Sequence, residues 1–305
     1  MFSCILVPLD GSALAEVVLP HLAAIARTGQ PRIFLIRVLD PAGQATRPVS
    51  VDPFDWQIRK AEAETYLHGL VARLEEAGLQ AVPEVREGRA AETVIEFARE
   101  VGAGLILMSS HGQSGISGWN VSSVVQKIIL RARQSVMIVR AYQPVDAGLD
   151  DLYYRRILLP LDASPRAEVV LAQAAALARA NGAECIVAHV VKKPEMPRRT
   201  PPTQEDIELG EQVIERNRAE AFRYLEEIKG RIDSPVETRL LVSESEVEAL
   251  HTLVEEEGVD LVILSAHGYS GATRWPYGST VISFIAYGTT PLLVVQDLPA
   301  DRIEP

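Results

Sequence analysis

Apolar positions along this chain follow two alternating rhythms. Residues 3–9, 32–39, 80–86, 105–109 and 136–139 are short, β-branched apolar runs, as expected of parallel strands buried on both faces. Between them the apolar residues recur at spacings of three and four, as on an amphipathic helix. Ser12 is an N-cap candidate for a helix to about Arg27, with Ala15, Val18, Leu19, Leu22 and Ala26 on its apolar face. Further helices are expected from residue 53 to about Ala77, from Ala90 to Val101, and from Ser122 onward. Pro- and Gly-rich residues 40–53 read as a loop.

The order then repeats. Strands are expected near 156–161, 185–191, 236–242, 260–265 and 291–296. The correspondence reaches individual residues. Ile5-Leu6-Val7-Pro8-Leu9-Asp10 returns as Ile157-Leu158-Leu159-Pro160-Leu161-Asp162, and Ser109-Ser110-His111-Gly112 returns as Ser265-Ala266-His267-Gly268. Two α/β domains in tandem follow, 1–145 and 152–300, joined where Gln143 to Gly148 breaks periodicity. Each should be a doubly wound, five-stranded parallel sheet in the order 3-2-1-4-5, with helices on both faces. In that order strands 1 and 4 are neighbours, so the loops carrying Asp10 and Gly112, or Asp162 and Gly268, flank a ligand crevice. Strand 5 of each half is an apolar edge, and pairing the two edges would make an intramolecular pseudo-dimer.

Composition narrows the partners. The net charge of -11 argues against nucleic acid and acidic membranes, which select clustered Lys and Arg. No apolar run approaches the roughly 18 residues of a membrane span. A cytoplasmic location is expected, with a homodimer also open. Cys4 and Cys185 lie in strands of opposite halves and read as buried free thiols.

The candidate chemistry lies in the loops. Gly268 brings backbone close to a ligand, and Gly278-Ser279-Thr280 opens a helix whose free N–H groups and hydroxyls suit a phosphate. An ordinary turn and cap would read the same way. His111 and His267 occupy tight turns with no evident Asp or Cys partner, so a structural hydrogen bond is favoured over acid–base chemistry. Trp119 and Trp275 read as packing residues, Arg47, Arg198 and Arg199 as solvated, and Glu255 to Glu257 as an exposed helix end.

These segments together (VPLDGS, SHGxSG, and Gly-Ser at the next helix) resemble the universal stress protein family, along nearly the whole chain and twice. Its nucleotide-binding members carry G-x2-G-x9-G-(S/T), and tandem copies are a known form. The resemblance implies ATP, with Pro8, Asp10 and Val38, or Pro160, Asp162 and Val190, near the adenosine. Around the phosphates it puts Gly112, Ser122 and Ser123, or Gly268, Gly278 and Ser279. The first Gly of the pattern is Ser109 or Ser265 here, and the third is Ser122 in the first half. The implied role is a non-catalytic regulator of stress physiology. A ligand-free interaction scaffold and a slow ATPase are the alternatives. A triphosphate in so acidic a protein calls for Mg²⁺ or Mn²⁺. Gly278 can adopt positive φ where Ser122 would be strained, so the second half is expected to bind more tightly.

Overall fold

The computed structural model describes the chain apart from residues 41–52, 113–120, 142–147, 195–200, 202, 270–276 and 298–305. The first half runs β1 (Cys4–Pro8), α1 (Ala13–Glu16), α2 (Val18–Ala26), β2 (Arg32–Leu39), α3 (Pro53–Glu76), β3 (Ala81–Glu87), α4 (Ala90–Glu100), β4 (Leu105–Ser109), α5 (Ser123–Arg131) and β5 (Ser135–Val139). The second runs β6 (Arg156–Pro160), a 3-10 turn (Ala167–Val170), α6 (Leu171–Asn181), β7 (Glu184–Lys192), α7 (Gln204–Lys229), β8 (Val236–Ser243), α8 (Glu246–Glu256), β9 (Leu261–Ser265), α9 (Ser279–Tyr287) and β10 (Leu292–Val295).

All ten strands join in one sheet, ordered β3-β2-β1-β4-β5-β10-β9-β6-β7-β8. Each half keeps the expected order 3-2-1-4-5 with parallel neighbours. The halves meet through an antiparallel β5–β10 pair, with Leu292 opposite Ile138, Leu293 opposite Met137 and Val294 opposite Val136. Every residue of both strands is buried. The edges of the whole sheet are instead β3 and β8, which carry Glu84, Arg86, Glu237 and Arg239 and so resist further pairing.

Alternation along the strands divides the core in two. Ile5, Val7, Met137 and Leu293 pack with α2, α3, α6 and α7 on one face. Cys4, Leu6, Val136 and Val294 pack with α4, α5, α8 and α9 on the other. Each layer runs through both halves. Cys4 and Cys185 are buried free thiols.

The single helix expected over 12–27 is divided at Val17. Pro20 has no N–H to give the Glu16 carbonyl four residues back, and its ring crowds that carbonyl. Near the join, Arg27 donates to the carbonyls of Leu152 (2.6 Å) and Asp150 (3.2 Å), and lies over the Tyr153 ring. His21 Nδ1 meets the Tyr154 hydroxyl at 2.7 Å.

Candidate functional site

Two crevices open at the C-terminal ends of β1 and β4 and of β6 and β9, the switch points of the two half-sheets. All fifteen residues expected from the sequence line them. Pro8, Asp10, Val38, Ser109, Gly112, Ser122 and Ser123 lie in the first. Pro160, Asp162, Val190, Ser265, Gly268, Gly278, Ser279 and Thr280 lie in the second. Their volumes differ, at about 160 Å³ and 340 Å³. Only the larger reaches the size usual for small-molecule sites, about 300 Å³ and above.

The aspartates shape both crevices. Asp10 Oδ1 accepts from the Ser12 N–H (3.0 Å) and hydroxyl (2.7 Å), and Ser12 Oγ in turn caps the next turn at the Ala15 N–H. Asp162 Oδ1 accepts from the Ser164 N–H (3.0 Å), while its Oδ2 accepts from the Tyr269 N–H beyond Gly268. A Cβ on Gly112 would collide with the Asp10 carboxylate, and one on Gly268 with that of Asp162. Glycine is required there by close approach, since neither residue has positive φ.

At the helix starts the expected strain is absent. Ser122 (φ -68°, ψ 161°) and Gly278 (φ -68°, ψ 164°) have nearly identical extended backbones. Among the described residues, a Cβ on Gly278 would meet only the Ala266 carbonyl, at an ordinary 3.7 Å. Backbone strain therefore does not distinguish the two crevices. The two positions differ in capping. Ser122 Oγ accepts from the Val125 N–H at 3.3 Å, whereas Gly278 supplies no side-chain cap. Among the described residues no side chain caps the N-terminal donors of α9, whereas one of those of α5 is engaged.

Several features escaped the sequence reading. His267 does have an acidic partner: its Nδ1 lies 2.7 Å from Asp297 Oδ1, and Arg166 Nε donates to Asp297 Oδ2 at 2.6 Å. Burial works to raise the Asp297 carboxyl, but the hydrogen bonds from His267 and Arg166 outweigh it and hold the group below its usual range. The place equivalent to Asp297 in the first half is Ala141, and His111 Nδ1 meets Ser110 Oγ at 3.0 Å. Comparing Ala141 with Asp297 across the repeat was the one available signal. Glu246, on the exposed lip of the second crevice, accepts from Thr280 Oγ1 at 3.3 Å, where the first half has Ala90. Glu257 is no idle helix end. It binds Arg156 (2.5 Å) and Arg239 (2.6 Å), and the Arg239 hydrogen bond holds its carboxyl below the usual range. Trp119, Trp275, Arg47, Arg198 and Arg199 lie outside the described residues.

Among the described residues, no helix is long and apolar enough to cross a membrane, and no group of three or more His, Cys, Asp or Glu side chains is arranged to hold a metal by itself.

Residues 1–140 and 153–296 each match the model of the universal stress protein family. Universal stress protein MJ0577 of Methanocaldococcus jannaschii is 24% identical over 155 residues, 46% of this chain and 96% of that protein. Universal stress protein YxiE of Bacillus subtilis is 26% identical over 149 residues, 46% of this chain and 100% of its own. A universal stress protein structure from Archaeoglobus fulgidus superposes with a TM-score of 0.69 at 20% identity, covering 97% of this chain and 99% of that one. At that identity the likeness carries the fold alone.

Proposed function

The chain belongs to the universal stress protein family, and on that premise we propose that it is a non-catalytic regulator whose crevices bind nucleotide, the second more tightly. The ligand we assign is ATP with Mg²⁺ or Mn²⁺. In this reading Pro160, Asp162 and Val190 hold the adenosine, and Ser265, Gly268, Gly278, Ser279 and Thr280 surround the phosphates. Pro8, Asp10, Val38, Ser109, Gly112, Ser122 and Ser123 do the same work in the first half. The observation that carries the proposal is the second crevice itself. It combines a side-chain-uncapped helix start at Gly278 with a close glycine turn at Gly268, in a cavity of about 340 Å³.

A divalent cation suits this lining. Among the described residues around the second crevice are the carboxylates of Asp162 and Glu246, and no lysine or arginine. Asp162 and the Ser279 and Thr280 hydroxyls would hold the cation, directly or through water, and it would neutralise phosphate charge.

Mass spectrometry of small molecules released from freshly purified, denatured protein tests the reading, followed by calorimetry with ATP. Co-purified adenine nucleotide, or micromolar binding that EDTA weakens at least ten-fold, is the expected result. Protein that carries no nucleotide and binds none would be an interaction scaffold. Equal affinity in EDTA and in Mg²⁺ would remove the cation. Phosphate release at catalytic rates would make it an ATPase.

A further inference from the structure

The rims of the two crevices differ in a pair of residues that touch. In the second, Thr280 Oγ1 donates to Glu246 Oε1 at 3.3 Å, joining the first turn of α9 to the first turn of α8. Both residues line the crevice. Their counterparts in the first half, Ala90 and Val124, line that crevice too and are apolar. One exposed hydrogen bond of this kind adds little to stability. Glu246 also suits the positive end of the α8 dipole, but Glu248 serves the same turn. The larger consequence of the pair is electrostatic. It holds a carboxylate at the mouth of the second crevice, beside the start of α9.

That place is where an anion would be drawn, toward the N–H groups of the first turn. The charged and titratable groups that act on Glu246 include Asp162, a second carboxylate lining the crevice, and His189 and Lys192 of β7. Like charges in a crevice repel more strongly than in open water, because the protein screens them less. The same crevice nonetheless holds a group suited to a polar ligand. Ser265 is 8% exposed, and its buried hydroxyl has no hydrogen-bond partner among the described residues. Its counterpart Ser109 donates to the His111 carbonyl at 2.6 Å. A buried hydroxyl left unpaired is costly, and a ligand that supplies its partner removes the cost.

We propose that Glu246 makes the second crevice conditional on the divalent cation: its carboxylate opposes bare phosphate and shares in holding the cation that accompanies it. This deepens the reading of that crevice as a nucleotide site and rests on it. The first crevice, with Ala90 and Val124 at the equivalent places, should depend on the cation less.

Calorimetry on the full chain, with ATP and with adenosine, each in Mg²⁺ and in EDTA, compares wild type with Glu246→Gln and Glu246→Ala. The first variant keeps the size and an acceptor for the Thr280 hydroxyl and removes the charge. The second installs the residue of the first half. In EDTA both should bind ATP about five- to thirty-fold more tightly than wild type. In Mg²⁺ neither should bind it more tightly than wild type, so the gap between the two conditions narrows. Adenosine, which carries no phosphate, should bind all three proteins alike. A gap as wide in Glu246→Gln as in wild type overturns this proposal and leaves the nucleotide reading standing. A loss of adenosine affinity in that variant does the same, because it would put Glu246 against the nucleoside. Wild type that binds ATP equally in both conditions removes the cation, and wild type that binds neither compound removes the nucleotide. This inference falls with either.

Discussion

Ala163 is the one described non-glycine residue at positive φ (+64°), at the place where the first half has Gly11 (φ +88°). A Cβ in that conformation costs about 1–2 kcal/mol. Ala163→Gly should therefore raise stability by roughly 1 kcal/mol in urea denaturation, after the added flexibility of glycine is deducted. Gly11→Ala should lower it, because the new Cβ would also sit 3.0 Å from the Arg37 guanidinium. The glycines of the crevices should respond differently from one another. Gly268→Ala must displace the Asp162 carboxylate, and a loss of about 1–3 kcal/mol is expected, with nucleotide binding weakened. Gly278→Ala has room, and should leave nucleotide affinity within a few-fold of wild type in calorimetry. Ser122→Gly frees the Val125 N–H, so the first crevice should hold phosphate more firmly.

At the scale of elements, the contact between α2 and the segment before β6 carries a pH dependence. His21 is buried beside Tyr154, and burial lowers its pKa from 6.5 to about 4. Between those values the unfolded chain holds a proton on this ring and the folded chain does not. The contribution is complete above about pH 6.5 and is lost as pH falls towards 4, reaching about 3 kcal/mol. Denaturation midpoints measured across that window should fall for wild type and change less for His21→Leu, which also gives up the Tyr154 hydrogen bond. The ion pairs of Glu257 with Arg156 and Arg239 add less per pair, because all three side chains remain partly exposed to solvent.

On the scale of the molecule, one antiparallel pair of short strands unites the halves. Arg140, at the end of β5, reinforces it by donating to the Phe284 and Ile285 carbonyls (2.6 Å and 3.3 Å) near the C-terminal end of α9. The helix clamped from the first half is therefore the one whose other end opens the second crevice. Met137→Lys would bury an unpaired charge opposite Leu293 and should cost about 3–5 kcal/mol in denaturant unfolding. It should also expose both strand edges, which light scattering would detect as association. Unchanged stability would mean that the seam is not a cooperative part of the fold.

The repeat, the strand order and the position of both crevices were legible in the amino-acid sequence, and the family resemblance supplied the residues expected around them. Each depends on local periodicity, or on short segments such as VPLD and SHG that the topology carries to a fixed place. The division of the first helix at Val17 was not legible, since the apolar spacing runs unbroken through it. Interactions between residues distant in the chain were not. Nothing local to His267 announces Asp297, thirty residues on, and nothing local to Gly278 tells that its φ is negative. Those depend on how β9 and β10 pair and on how the chain enters α9. Sequence determined which residues reach the crevices; packing decided which of their polar atoms remain unpaired there.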